Sequence, residues 1–257
     1  MKKLKIIDLF SGGGGFSYAA EKLVGGYETI QFVEIDSYCQ KVLKKHWPTV
    51  PIHDDIKTYK PEPYSASVVV GGFPCQDLSI AGKGLGITKE TRSGLFYELM
   101  RVVCLVRPKY VIMENVAAIL NNGMGTVLGE LCKARYDAEW ATFRASDYVG
   151  TCHHRNRWWL LATNRDFTNS DSNRLQREVR SRIYRQTWST QNIRRLNANW
   201  RQYGVEPTIC RNDDGVACGL FTNRTERLKL LGNGLVPQCA AIPLQRILDL
   251  ENDSRQT

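Results

Sequence analysis

The chain has 257 residues, of which 42% are hydrophobic and 24% charged, with a formal net charge of +9. That size and balance fit one α/β domain with a small insert, or two small domains, around a normal buried core. No run of about 18 apolar residues occurs, which argues against a membrane-spanning helix, and the basic excess suits a polyanionic partner without identifying one.

The opening MKKLKIIDLF begins like a secretory n-region, but its apolar run is short and enters a glycine loop, so no signal peptide is expected. Residues 4–10 predict a buried strand and residues 16–24 a helix. Residues 29–34 predict a second strand and 37–46 a second helix. A third strand is expected before His53-Asp54-Asp55-Ile56, and another at 67–71. A loop rich in Gly, Ser and Lys covers about 76–93. A helix over 95–106, a strand over 109–114, a strand over 158–162 and a closing helix after Pro237 complete the pattern. Strands and helices alternating at short spacing predict a parallel sheet covered on both faces.

The eight cysteines, Cys39, Cys75, Cys104, Cys132, Cys152, Cys210, Cys218 and Cys239, contain no C-x-x-C pair, and there are only four histidines. This argues against a structural zinc site, and no metal is expected. Several cysteines sit in apolar surroundings, as reduced thiols do, which suits a cytoplasmic location.

The run Asp8-Leu9-Phe10-Ser11-Gly12-Gly13-Gly14-Gly15-Phe16 lies between a strand and a helix. Glycines there let a ligand approach the backbone at a helix N-terminus. Glu34 ends the second strand, where a carboxylate can bind ribose hydroxyls, and Asp55 follows the third. The pattern from Gly12 or Gly13 lacks the third glycine of a dinucleotide fingerprint. An adenosine ligand without a pyrophosphate therefore fits better than NAD.

Gly71-Gly72-Phe73-Pro74-Cys75-Gln76 follows a buried strand, at the carboxyl end where open α/β sheets bind ligands. Pro74 restricts the backbone ahead of Cys75. Read alone, Cys75 is either a nucleophile or an ordinary buried thiol. Glu114 ends the strand Tyr110-Val111-Ile112-Met113; alone, it is either a catalytic carboxylate in the same crevice or a structural ion-pair partner. Arg155 and Arg157, at i and i+2 before the strand at 158–162, point the same way on an extended segment. They suit a phosphate, a base carbonyl, or a solvated face.

These segments, in this order and spacing, resemble the DNA C5-cytosine methyltransferases, particularly the short prokaryotic and phage type. The matching motifs are DLFSGGGGFS, Glu34, Asp55-Ile56, GGFPCQDLS, RSGLFYEL, MENV, SDY with H-x-R-x-R, and R-x-x-x-LGNGLVPQ. They span nearly all of the chain outside about 165–212. The resemblance implies a Rossmann-like S-adenosylmethionine-dependent methyltransferase sheet, mixed and seven-stranded, with a small irregular target-recognition insert. It divides the chain into a catalytic and cofactor-binding domain at 1–164, a target-recognition region at 165–224, and a segment at 225–257 that returns to the catalytic domain. The last helix is expected beside the first βα unit.

The resemblance assigns S-adenosylmethionine binding to Phe10, Gly13, Gly15, Glu34, Ile35, Asp55, Ile56, Pro74, Leu95 and Asn233. It makes Cys75 the nucleophile on cytosine C6, and places Glu114 against N3 and the exocyclic amine. Arg157 is expected at the base O2, with Arg155 holding Glu114 or the backbone. C6 is inaccessible inside a duplex, so the base must be flipped out. The 76–93 loop, with Lys83, Lys89 and Arg92, is expected to close over it and touch phosphates. One departure is His153, which stands where the family usually has Gln.

Residues 165–203 carry nine Arg, no Lys and three acidic residues, with Tyr184, Trp188 and Trp200 interleaved. This composition suits phosphate and guanine contacts, and Arg174, Arg177, Arg180, Arg182, Arg194 and Arg195 are the DNA-contacting candidates. The expected partners are double-stranded DNA and a cognate restriction endonuclease, with the protein itself a monomer outside any membrane. The alternatives are an RNA cytosine-5 methyltransferase of the same fold and an inactive DNA-binding homologue.

Overall fold

The computed structural model describes residues 2–74, 87, 94–145, 156–167 and 234–256. The strands are β1 (Leu4–Leu9), β2 (Tyr27–Val33), β3 (Ile52–His53), β4 (Val68–Gly72), β5 (Tyr110–Val116), β6 (Tyr136–Arg144) and β7 (Asn156–Asn164). They form one seven-stranded sheet in the order β3-β2-β1-β4-β5-β7-β6. The helices are α1 (Gly15–Tyr18), which continues as a π-helical stretch over Ala19–Val24, then α2 (Ser37–His46), α3 (Leu95–Val106), α4 (Ile119–Asn122), α5 (Met124–Lys133) and α6 (Pro237–Gln256).

Side chains alternate across the sheet, and each face has its own core. Ile7, Leu9, Val69, Val111, Met113 and Leu160 meet Phe96, Leu99 and Val103 of α3 and Val127 of α5 on one face. Ile6, Val68, Val70, Ile112, Trp159 and Leu161 meet Phe16, Ala19 and Ala20 of the first helix and Ala240, Ala241 and Leu244 of α6 on the other. Leu99 is fully buried, and Leu99→Ala would cost about 2–5 kcal/mol in lost transfer energy and residual cavity. The last helix lies against the first βα unit, where Ala240, Ala241 and Leu244 share a core with Phe16, Ala19 and Ala20, and the Tyr27 hydroxyl of β2 donates to the Leu244 carbonyl at 2.6 Å. Among the described residues no helix is long and apolar enough to cross a membrane.

The parallel sheet expected from strand–helix alternation is corrected at one edge. β1 to β5 run parallel, but β7 pairs antiparallel with both β5 and β6. The mixed sheet implied by the family resemblance is the architecture found. β6 and α5 carry no counterpart in the sequence reading. β6 has a mixed pattern: Tyr136 joins one core, while Ala141 and Phe143 join the other. Asp137 and Glu139 pair with Arg165 and Arg246 at the sheet edge, so residues 136–140 do alternate apolar and polar as a half-buried strand does, a signal passed over in the sequence.

Candidate active site

Parallel pairing brings the carboxyl ends of β2, β1, β4 and β5 to one edge of the sheet. Leu9 lies beside Val33 and Gly71, and Gly72 lies beside Glu114. The segments that follow, Phe10-Ser11, Glu34-Ile35 and Phe73-Pro74, therefore converge there with Glu114 and Asn115 near the end of β5. Pro74 is the last described residue before Cys75. Cys75, Arg155 and Asn233 lie outside the described residues, as do Lys83, Lys89, Arg92 and Arg174, Arg177, Arg180, Arg182, Arg194 and Arg195.

The loop after β1 is built by its own hydrogen bonds. The Ser11 hydroxyl donates to the Asp8 carbonyl at 2.6 Å, and the Gly14 N–H donates to the Ser11 carbonyl at 2.8 Å. Phe10 takes a left-handed φ of 53°, a strained setting for a residue with a bulky side chain. The glycines have different reasons for being there. A Cβ at Gly14 would come within 2.6 Å of Trp47 Cζ3, and one at Gly15 within 2.9 Å of Leu235 Cδ1. Only around Gly12 is there open space on the Cβ side among these three. Packing against Trp47 and Leu235 thus requires glycine at positions 14 and 15 on the Cβ side, whatever approaches their backbone.

Glu34 ties the loop to the end of β2. Its Oε2 accepts the Gly12 N–H at 2.7 Å, and its Oε1 accepts the Asp36 N–H at 2.8 Å. Burial pushes its carboxyl above the usual range, against the lowering effect of those N–H groups. Each oxygen has a second lone pair for a further donor. Beside it, Ile35 is 75% exposed, an apolar side chain at the rim of a polar anchor. Asp55 Oδ1 caps the next turn by accepting the Lys57 N–H. The Ile56 side chain is buried in the core. Arg101 of α3 donates to the Ile56 and Tyr59 carbonyls and so clamps that turn. Leu95, at the start of α3, packs half-buried against the core containing Phe96.

Under the loop lies Asp8, wholly buried. The Ser17 hydroxyl donates to its Oδ2 at 2.6 Å, while Oδ1 has no hydrogen-bond partner. Burial, only partly offset by Ser17, raises its carboxyl to a pKa of about 7.

At the other end of the site, Arg157 Nε lies 2.9 Å from Glu114 Oε1. The two side chains are 23% and 13% exposed, so the ion pair is largely shielded. The contact is electrostatic: the N–H is not aligned on Oε1 as a hydrogen bond requires. Strand register explains the meeting. Glu114 faces Trp159 across β5 and β7, and Arg157 faces Val116, so the pair is diagonal on one face. Among the described residues, Arg157 is the cation found at Glu114, and Arg155 lies outside them. A Cβ on Gly72 would come within 3.0 Å of Glu114 Oε2; glycine there leaves the carboxylate its place over the end of β4.

Sequence reasoning missed Asn115. It is buried, and its Nδ2 donates to the Phe73 carbonyl at 3.1 Å while its Oδ1 accepts the Val116 N–H. It fastens the end of β5 to the segment leading into Pro74-Cys75. Its place in the MENV motif was the available signal. Arg101 and Trp47 carried no such signal. Among the described residues, no group of three or more His, Cys, Asp and Glu is arranged to hold a metal.

Residues 4–210 match the family model for C-5 cytosine-specific DNA methylase. The chain is similar to Type II methyltransferase M.CviJI of Paramecium bursaria Chlorella virus IL3A, at 31% identity over 63% of this chain and 44% of that protein. It is also similar to Type II methyltransferase M2.BsuMI of Bacillus subtilis (strain 168), at 31% identity over 83% of this chain and 58% of the relative. The chain thus spans about half the length of the curated relatives it matches. Its fold resembles that of a putative DNA modification methyltransferase encoded within an E. coli prophage. The TM-score is 0.51 and the identity 24%, over 65% of this chain and 48% of the other.

Proposed function

The chain belongs to the C-5 cytosine-specific DNA methylase family, and from that premise we propose that it transfers a methyl group from S-adenosylmethionine to C5 of a cytosine in a specific sequence of double-stranded DNA. The observation that carries this reading is the shielded Glu114–Arg157 pair, 2.9 Å apart, at the edge of the sheet where β4 leads into Pro74-Cys75.

The residues at the glycine loop fit the cofactor. Glu34 has acceptor capacity for ribose hydroxyls, and exposed Ile35 offers an apolar surface for adenine. Phe10, Gly13, Gly15, Asp55, Ile56, Pro74, Leu95 and Asn233 complete the set. Bound there, S-adenosylmethionine supplies an electrophilic methyl group.

The protein's own residues act on the base. Cytosine C5 is a poor nucleophile until C6 is attacked. The Cys75 thiolate adds to C6, and the electron pair moves toward C5 and N3. Glu114, protonated from solvent, donates that proton to N3 and accepts from the exocyclic amine, stabilising the charge; N3 gives the proton back when the C5–C6 double bond re-forms. Arg157 orients Glu114 and reaches O2, and Arg155 supports the same end of the base. After C5 gains its methyl, its proton leaves to a water acting as base, the C5–C6 double bond re-forms, and Cys75 departs as thiolate. Residues 165–224 form the target-recognition region, returning to the catalytic domain at 225–257. The protein serves restriction–modification or phage DNA protection, alongside a cognate endonuclease in the former case.

Bisulfite sequencing of host DNA after expression tests the reading. 5-Methylcytosine confined to one short sequence is the expected result. Unmodified DNA with methylated RNA would overturn it in favour of an RNA substrate.

A further inference from the structure

We propose that Trp47 and Glu21 are positioning residues for the cofactor, holding the glycine loop in its binding conformation from behind. This rests on the reading of that loop as the S-adenosylmethionine site.

Gly14 sits at the N-terminus of α1 with φ +80°. Its N–H donates to Ser11 and its carbonyl accepts the Tyr18 N–H, so its conformation sets both the loop and the first helical turn. Glycine crosses between backbone basins readily, and something must hold it in this one. The hollow where a Cβ would project is filled by the indole of Trp47, with Cζ3 at 2.6 Å and Cη2 at 2.8 Å from that position. Trp47 follows α2 in sequence and stands edge-on to Phe32 of β2, with ring centroids 5.3 Å apart. The ring is fixed at its other end. Trp47 Nε1–H donates to Glu21 Oε2 at 2.9 Å, and Glu21 Oε1 accepts the Thr29 N–H at 2.8 Å.

Glu21 lies in the π-helical stretch, a widened turn of the kind often found beside functional sites. Its two oxygens join the helix after the loop, the strand that ends at Glu34, and the ring behind Gly14. Glu34 in turn accepts the Gly12 N–H. The loop is thus held from two sides, by the carboxylate expected to meet the ribose and by an aromatic wall that touches no ligand. A flexible loop would have to be ordered by the cofactor at the expense of affinity; a braced one is ordered beforehand.

The test measures S-adenosylhomocysteine binding by calorimetry and tryptophan emission on the full chain, with turnover on DNA. In Trp47→Phe the smaller ring no longer reaches the Gly14 hollow and the N–H is lost. Glu21→Gln keeps an acceptor for only one of the two donors. Each should weaken binding about three- to tenfold, the equivalent of one buried hydrogen bond with its packing. The donor KM should rise while kcat at saturation stays near wild type. Trp47→Phe should also lose most of the emission change that ligand causes in the wild type. Tyr27→Phe, which loses only the remote bond to Leu244, should lower Tm without changing ligand affinity. Wild-type affinity in both loop variants, with the emission change kept in Trp47→Phe, would overturn the brace and leave the cofactor reading standing. Absence of binding by the wild type would overturn both.

Discussion

Arg157 Nε and Glu114 Oε1 lie 2.9 Å apart on neighbouring antiparallel strands, at the edge where four parallel strands also end. With 13% of its side chain exposed, Glu114 is largely shielded from water, so the adjacent guanidinium fixes its orientation. Arg157→Ala should lower kcat by about 10²- to 10⁴-fold, the range for a lost acid–base or charge-stabilising group. S-adenosylhomocysteine affinity should be unchanged, because Arg157 is not among the residues assigned to the cofactor. Single-turnover kinetics with calorimetry checks both halves. A full-rate Arg157→Ala would remove Glu114 and Arg157 from the chemistry.

Asp8 gives a pH-dependent stability with an unusual sign. Its pKa is about 7 in the fold, against an ordinary value near 3.8. As pH rises from about 4, the unfolded chain loses this proton first, so the group destabilises the fold increasingly until about pH 7 and constantly above. Across that window the loss of stability approaches about 1.4 kcal/mol for every tenfold fall in proton concentration. Asp8→Asn, which can still accept from Ser17, should raise Tm more at pH 8 than at pH 5. Thermal melts at the two values decide it; an equal effect at both would show that Asp8 is not the titrating group.

Much of the fold was legible because β1, β4 and β5 each hold a short apolar core, Ile6-Ile7, Val68-Val69-Val70 and Val111-Ile112-Met113, and the loops after them carry compact motifs. Glu34 and Glu114 were found because each was read at the end of a strand; Glu34 follows β2 directly, while β5 runs on two residues past Glu114. The antiparallel β7 was not readable from local pattern, since strand direction depends on pairing across the sheet. Gly14 shows the other limit. The sequence shows that glycine is required, but only packing shows that Trp47, thirty-three residues on, occupies the space. Asn115 was visible as part of a motif, while its grip on the Phe73 carbonyl was not.

The basic insert should dominate DNA affinity. With about five phosphate contacts, log K should fall with log salt at a slope near −4 to −5. Arg194→Ala combined with Arg195→Ala should flatten that slope by about two contacts' worth. Fluorescence anisotropy from low to moderate salt measures it. An unchanged slope would move the DNA-contacting surface elsewhere on the protein.

Cys75 is expected to bond covalently to C6 of the target cytosine. A duplex bearing 5-fluorocytosine at the target tests it, because fluorine cannot leave as a cation and elimination stalls after methyl transfer. The complex should survive denaturing electrophoresis, require S-adenosylmethionine, and yield a crosslinked peptide containing Cys75. Cys75→Ser should abolish both trapping and turnover while retaining DNA binding, since a serine hydroxyl is far harder to ionise than a thiol. Continued methylation by Cys75→Ser, or a crosslink to another cysteine, would contradict the account.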